Sequence, residues 1–244
     1  MIEFRKYHDG IYRLSDTGLF KIGTVGKSAN KINYERDSIS IRNDEKTFLK
    51  DVTGIDKKNI LMLNQVHGDS IVVVDKPPET DAPYLADADG MITDMPGICL
   101  VIRTADCVPV VAYDRKKKIF GAVHSGWKGC RLSISRKLII EMKRIFSCGV
   151  RDVNVFLLPS IGPDFYPVNE DVASYFKDDI LRKNSLIYLN LWSNIARSLC
   201  DEGVPEENIF NACLCTMNNS LEFFSHRNKD KGRNLNFCCL PGGD

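Results

Sequence analysis

Three residues in this chain are of types that could bind a metal or carry out nucleophilic chemistry: His67, Cys107 and His124. Each ends or breaks a β-rich run and is followed within a few residues by Gly or Pro, in His67-Gly68, Cys107-Val108-Pro109 and His124-Ser125-Gly126. Taken singly, an isolated His or Cys is usually a packed core residue, and no adjacent-ligand signature such as C-x-x-C supports these three. Their shared setting argues otherwise, because function concentrates where strands end and loops begin. Two neutral imidazoles and a thiolate form a three-ligand set for Zn²⁺ that leaves the fourth tetrahedral position open, as catalytic zinc sites do. Such a centre is net positive and suits an anion such as phosphate. The same residues also fit a cysteine hydrolase, in which His67 or His124 deprotonates Cys107 for attack on an amide or ester.

The neighbours of the triad extend both readings. Ser125-Gly126-Trp127-Lys128-Gly129 joins the His124 strand to a helix, so backbone N–H groups around Gly126 and the Lys128 ammonium are candidates for holding phosphate. The competing reading is a tight strand-to-helix turn permitted by Gly126 and Gly129, with Trp127 in the core. Asp106 is a general acid/base, a partner of a metal ligand, or a solvated turn aspartate. The basic segment Ser225–Arg233 offers phosphate contacts or a solvated loop. Cys213, Cys215, Cys238 and Cys239 could form a second metal cluster, but Asn211–Cys215 reads as a strand with alternate cysteines packed on one face, and packing is favoured there.

The elements that must position these residues are clearest from Asn59 onward. Ile60–Leu63 and Ser70–Val74 read as strands flanking His67. Ile98–Thr104, Val108–Tyr113 and Ile119–His124 read as strands, the last two forming a hairpin across Asp114–Lys118. Pro109 lacks an N–H, so Ala105–Pro109 is expected to be an edge or bulge. After Gly129 the apolar period becomes helical, Val153–Leu158 is another strand, Asn169 caps a short helix, and Leu191–Cys200 is a helix ending before Gly203. Residues 1–59 give weaker signals: short alternating stretches such as Ser38-Ile39-Ser40-Ile41, then a charged helix over Asn43–Asp51. Asp75–Pro83 is a proline-rich surface loop. Irregular alternation of strands and helices with an antiparallel hairpin implies an α+β fold, with mixed sheets and flanking helices in one domain over 1–244.

Composition narrows the classes. Of 244 residues, 33 are Lys or Arg and 32 are Asp or Glu, so nucleic-acid binding has no general electrostatic support. No apolar run approaches the ~18 residues of a membrane span, and the charged opening segment carries no export signal. Nine cysteines, an odd number, in a chain this long point to free thiols and a cytoplasmic setting. Only four histidines are present, whereas a multicopper oxidase site needs about ten by copper's imidazole preference. A binding domain with a structural zinc would need a fourth protein ligand.

Several motifs in order resemble the laccase-domain or multicopper-polyphenol-oxidase-like family, whose members are described as purine nucleoside phosphorylases. They are Gln65-Val66-His67-Gly68, Ala88-Asp89-Gly90, Thr104–Pro109, Ala122–Gly129, Ile161-Gly162-Pro163, Cys215-Thr216, Phe223–Arg227 and Gly232-Arg233. The resemblance implies an α+β fold and an active site in which His67, Cys107 and His124 ligate a metal, usually zinc, with copper as the alternative ion. It implies phosphorolysis of adenosine, inosine and methylthioadenosine, with adenosine deamination as a companion activity. By the same resemblance Asp106 and Cys107 are catalytic, and Gln65 and Arg227 contact substrate. The expected partners are a purine nucleoside and phosphate, acting on a monomer with no membrane or nucleic acid involved. The family's N-terminal Gly-Gly-Val-Ser-type motif has no clear counterpart in Phe20–Ala29, Pro167 replaces a common Glu, and Asn190 replaces a common Asp.

Overall fold

The computed structural model describes residues 3–14 and 17–242, so Met1 and Ile2 of the charged opening segment lie outside the described residues. Three strands come first, β1 (Phe4–His8), β2 (Ile11–Leu14) and β3 (Lys21–Val25), followed by helix α1 (Ser38–Thr53). Next come β4 (Ile60–Met62), β5 (Ile71–Val73), β6 (Gly90–Thr93), β7 (Cys99–Thr104), β8 (Val108–Asp114) and β9 (Ile119–Ser125). Helices α2 (Trp127–Arg131) and α3 (Ile134–Phe146) precede β10 (Val153–Leu157), β11 (Pro167–Val168) and α4 (Glu170–Ala173). The chain closes with β12 (Ile180–Lys183), β13 (Leu186–Leu189), α5 (Leu191–Asp201), β14 (Ile209–Asn211) and β15 (Asn234–Cys239).

These strands make two six-stranded sheets and a small one. The first runs β1-β2-β3-β15-β7-β4, the second β14-β10-β8-β9-β6-β5, and the third β11-β13-β12. Both large sheets are mixed: β4 pairs parallel to β7, β5 to β6 and β10 to β14, while the remaining pairs are antiparallel. The expected α+β class, with mixed sheets and flanking helices, is what the chain forms.

Period-two alternation decides the layering. In β7, Leu100 and Ile102 point into the space between the large sheets, where they meet Val111, Phe120 and Phe156 of the second sheet. Cys99 and Val101 point the other way, toward Leu49 of α1. In β8, Val110 and Ala112 face α3 and α5 with Leu138, Met142, Ile195 and Leu199, whereas Val111 and Tyr113 face the first sheet. The result is a helix–sheet–sheet–helix stack whose central strands, such as β7, β8 and β9, are buried on both faces, which is why they read as continuous apolar runs.

Several local expectations are corrected. Ser38–Ile41 is the first turn of α1, because the Asp37 carboxylate accepts from the Ser40 N–H and caps a helix there. The break expected over Ala105–Pro109 forms at residues 105–107, between β7 and β8, but Pro109 itself lies in a central strand, paired with His124 on one side, and its carbonyl accepts from the Leu158 N–H on the other. A missing donor is tolerated there because Pro109 stands near the start of β8, where the chain has just crossed from the first sheet to the second. The strand expected over Asn211–Cys215 stops at Asn211, and Cys213 takes a left-handed backbone with φ 53°. Among the described residues no helix is long and apolar enough to cross a membrane.

Candidate metal centre

The sheet arrangement brings the ends of separate strands to one place. His67 comes from the β4–β5 connection, Cys107 from the three-residue passage between β7 and β8, and His124 from the end of β9. One ligand atom from each lies within 4.8 Å of the others. Tetrahedral zinc bonds of roughly 2.0–2.3 Å place ligand atoms about 3.3–3.8 Å apart, so the donor set fits a metal of this type after closing by about 1 Å. The imidazoles meet edge to face, with ring centroids 4.7 Å apart at 79°. His124 and Cys107 are sheltered, whereas His67 is exposed at the rim.

A buried carboxylate holds two of the three ligands. Asp89, fully buried just before β6, accepts from His124 Nδ1 at 2.8 Å. That bond fixes the tautomer with Nε2 free for a metal. The same carboxylate accepts from the backbone N–H groups of Val66 (3.1 Å), His67 (3.0 Å) and Gly68 (2.7 Å). His67 itself sits at φ 61°, a left-handed conformation that costs an L-residue roughly 1–2 kcal/mol. The converging N–H bonds to Asp89 offset that cost.

Asp106 does the same for the third ligand. It is buried with φ 89°; its Oδ1 accepts from the Thr216 hydroxyl at 2.7 Å and its Oδ2 from the Arg227 N–H at 2.8 Å. Its carbonyl accepts from the Ile161 N–H at 2.9 Å. Three segments distant in sequence thus anchor the residue beside Cys107. Gly126 closes the back of the site: a Cβ there would lie 2.7 Å from Cys107 Sγ.

The charges of the triad are coupled. Burial alone would raise the Cys107 thiol, but the adjacent His124 charge and hydrogen bonds from His124 and His67 outweigh it and bring the thiol down to about 6. Burial would lower His124, yet the Cys107 thiolate and the Asp89 hydrogen bond lift it to about 9. Asp89 is held below the ordinary carboxylate range: its burial is outweighed by the His124 bond and the Gly68 and His67 N–H groups. Without a metal, both shifts favour the thiolate–imidazolium form of the pair.

A cavity of about 340 Å³ opens over the triad and is also lined by Arg42, Gln65, Arg103, His226 and Arg233. Gln65 lines it, with both amide ends engaged by the backbone of Arg103, donating to the carbonyl and accepting from the N–H at 2.8 Å each. Lys128 and Arg227 are not among the side chains lining this cavity. Lys128 is exposed on α2, with its Nζ 5.7 Å from the Trp127 ring centre. Arg227 is exposed, its guanidinium 4.8 Å from the Tyr166 ring centre and its Nη2 donating to the Pro167 carbonyl. Cys215 is buried and Cys213 exposed, while Cys238 and Cys239 are core residues of β15, so these thiols pack separately.

In the sequence Asp89 shows only as the middle of Ala88-Asp89-Gly90, with nothing to mark its role. Arg42, Arg103 and Glu45 belong to no motif. The available signal was Arg103, a lone charge at the end of the apolar β7 run. Arg42 and Glu45 look like ordinary polar positions of a charged helix.

Known proteins bear directly on this geometry. Residues 25–241 match the family model described as multi-copper polyphenol oxidoreductase laccase. A purine nucleoside phosphorylase of Clostridium acetobutylicum is 34% identical over 212 residues, 84% of each chain. An adenosine deaminase from an unknown prokaryotic organism is 27% identical over 241 residues, 93% of this chain and 92% of that one. The crystal structure of the hypothetical protein YfiH of Bacillus licheniformis superposes with a TM-score of 0.88 at 25% identity, covering 97% of this chain and 98% of that one.

Proposed function

The chain is an enzyme that belongs to the family described as multi-copper polyphenol oxidoreductase laccase, and from that premise we propose a metal-dependent purine nucleoside phosphorylase. Adenosine, inosine and methylthioadenosine are its substrates, and adenosine deamination is its companion activity. The observation that carries this reading is the convergence of His67, Cys107 and His124 at one mouth of a polar cavity. Zinc is the ion assigned, because a nitrogen and thiolate set with an open corner is a catalytic zinc set. Four histidines supply too few imidazoles for the multicopper chemistry in the family's title, although a single copper ion would accept these donors.

In phosphorolysis the bond from ribose to the purine nitrogen breaks, a ribose–phosphate oxygen bond forms, and the departing purine takes a proton. When bound, the metal supplies Lewis acidity and positive charge at the cavity mouth. His67, Cys107 and His124 would hold it, with Asp89 keeping the His124 Nδ1 proton away from the metal-facing nitrogen. Asp106 positions Cys107, since both its carboxylate oxygens already accept from Thr216 and Arg227. His226 brings to the same cavity an imidazole that the triad does not use, and it is the group assigned to protonate the leaving purine. Gln65 shapes the wall against which the nucleoside would lie.

One observation favours a second reading. A thiol lowered to about 6 beside an imidazole oriented by a carboxylate has the order nucleophile, base, orienter, as a cysteine hydrolase requires. Metal content decides between them. Purified enzyme with one zinc per chain, a Cys107 shielded from alkylation, and release of hypoxanthine from inosine only with phosphate support phosphorolysis. A metal-free, alkylation-sensitive enzyme that releases no purine base overturns it. Hypoxanthine together with ammonia from adenosine reports the deaminase branch.

A further inference from the structure

The lining of the cavity carries more positive charge than its carboxylates neutralise. Arg42 comes from α1, Arg103 from the end of β7, and Arg233 from the residue before β15, and all three face the same chamber as the triad. One carboxylate stands behind them. Glu45, fully buried, accepts from Arg103 Nη2 at 2.8 Å on Oε1, and Arg103 Nε stands 2.7 Å from Oε2 as an ion pair without hydrogen-bond geometry. Its Oε1 also accepts from the Tyr34 hydroxyl, and Arg42 Nη1 comes only within 3.5 Å of Oε2. Arg42 Nε is buried with no partner among the described residues. Arg233 Nη1 donates to neutral acceptors, the carbonyls of Lys231 and Gly232.

Three guanidiniums against one carboxylate, two of them with side chains only 13% exposed, is a costly arrangement for a protein to keep without an anion. Burial and the Arg103 charge push the Arg42 guanidinium down to about 10, and burial with Arg103 also lowers Arg233. Mutual repulsion is thus built into the wall. Guanidinium forks match tetrahedral oxyanions in geometry as well as charge.

We propose that Arg42, Arg103 and Arg233 are the binding site for the dianionic inorganic phosphate that attacks the nucleoside. The role belongs to this wall and not to the Gly126–Lys128 turn, whose lysine is exposed outside the cavity. The assignment rests on the phosphorolysis reading for its purpose, but the anion site can be tested without it. Arg103 also ties Glu45 and Gln65 in place, so Arg42 and Arg233 are the residues to change.

Metal-loaded wild type, Arg42→Met, Arg42→Lys and Arg233→Met, each checked by thermal unfolding, are titrated with inorganic phosphate in chloride buffer without nucleoside. They are then assayed on inosine with phosphate varied. Each Met variant should bind phosphate at least about 10-fold more weakly and raise the phosphate KM by a similar factor, roughly 1.4 kcal/mol per variant, while the inosine KM moves less than about twofold. Arg42→Lys should fall between wild type and Arg42→Met. Phosphate binding that is unchanged in both Met variants, or lost instead in Lys128→Met, overturns the proposal. Adenosine 5′-monophosphate binding more tightly than phosphate, in a manner dependent on Arg42, would assign the wall to a nucleotide's own phosphate and overturn the co-substrate role. If wild type binds phosphate through these arginines but cleaves no nucleoside, the anion site stands and the phosphorylase reading falls.

Discussion

The two walls of the cavity are built on opposite principles. On the triad wall, buried Asp89 and Asp106 are filled by N–H, hydroxyl and imidazole donors, so the ligands are held by a balanced network. On the arginine wall, Glu45 pairs with Arg103 and, at longer range, Arg42, while Arg233 donates only to carbonyls, and the balance is left open. A balanced wall fixes geometry, as metal ligation requires. An unbalanced wall stores affinity for a mobile anion. Substitutions should therefore act on the two walls differently.

The largest effect is expected on the triad wall. Cys107→Ala removes the only sulfur of the group, and stoichiometric metal and at least about 10³-fold of activity should vanish together, as metal analysis beside a purine-release assay would show. Equal activity in a metal-free variant would break the comparison.

Asp89→Asn comes next. The substitution loses the charge that supports His124 and faces an amide N–H₂ toward donors, so metal affinity should fall about 10–100-fold. Unfolding free energy should drop by about 1–3 kcal/mol, because buried N–H groups lose their acceptor. Denaturant titration with and without metal separates the two effects. Loss of stability with unchanged metal affinity would mean that Asp89 holds only the loop.

Asp106→Asn should be milder. If Asp106 positions Cys107, kcat falls several-fold while the pH profile keeps its shape. Loss of one limb of the profile, with about 10²-fold or more in rate, would restore Asp106 to general acid/base duty.

The smallest effect is a proton count. Between pH about 6 and about 9 the metal-free site holds a Cys107 thiolate and a His124 imidazolium, and a metal needs the neutral imidazole. Each ion bound at pH 7.5 should thus release about one proton. Below pH about 6 the Cys107 proton must leave as well, so affinity falls more steeply there; above pH about 9 no proton is released. Calorimetry in buffers of different ionisation enthalpy measures this number. A count of zero at pH 7.5 would show that the thiolate–imidazolium pair does not form.

The two walls were also unequally legible in the sequence. His67, Cys107 and His124 could be found because strand ends followed by Gly or Pro mark them, and their motifs occur in order. Asp89 was visible only as a letter in a motif, since its role depends on Val66, His67, Gly68 and His124 all arriving at one carboxylate. The arginine wall was nearly silent: Arg42 and Glu45 lie on a helix whose polar residues resemble a solvated face, and only the stacking of α1 on the first sheet buries them. Pro109 misled for a related reason, because sequence suggests an edge wherever a donor is missing, whereas the crossing between sheets removes the need for that donor at the start of β8.

The central claim is that two imidazoles and one thiolate meet at a single ion. Titrating metal-free enzyme with cobalt(II) tests it most directly. The account expects saturation at one ion per chain with a sulfur-to-cobalt charge-transfer band that is absent in Cys107→Ala and weakened in His67→Ala and His124→Ala. Saturation without that band, or a band indifferent to Cys107, would contradict it.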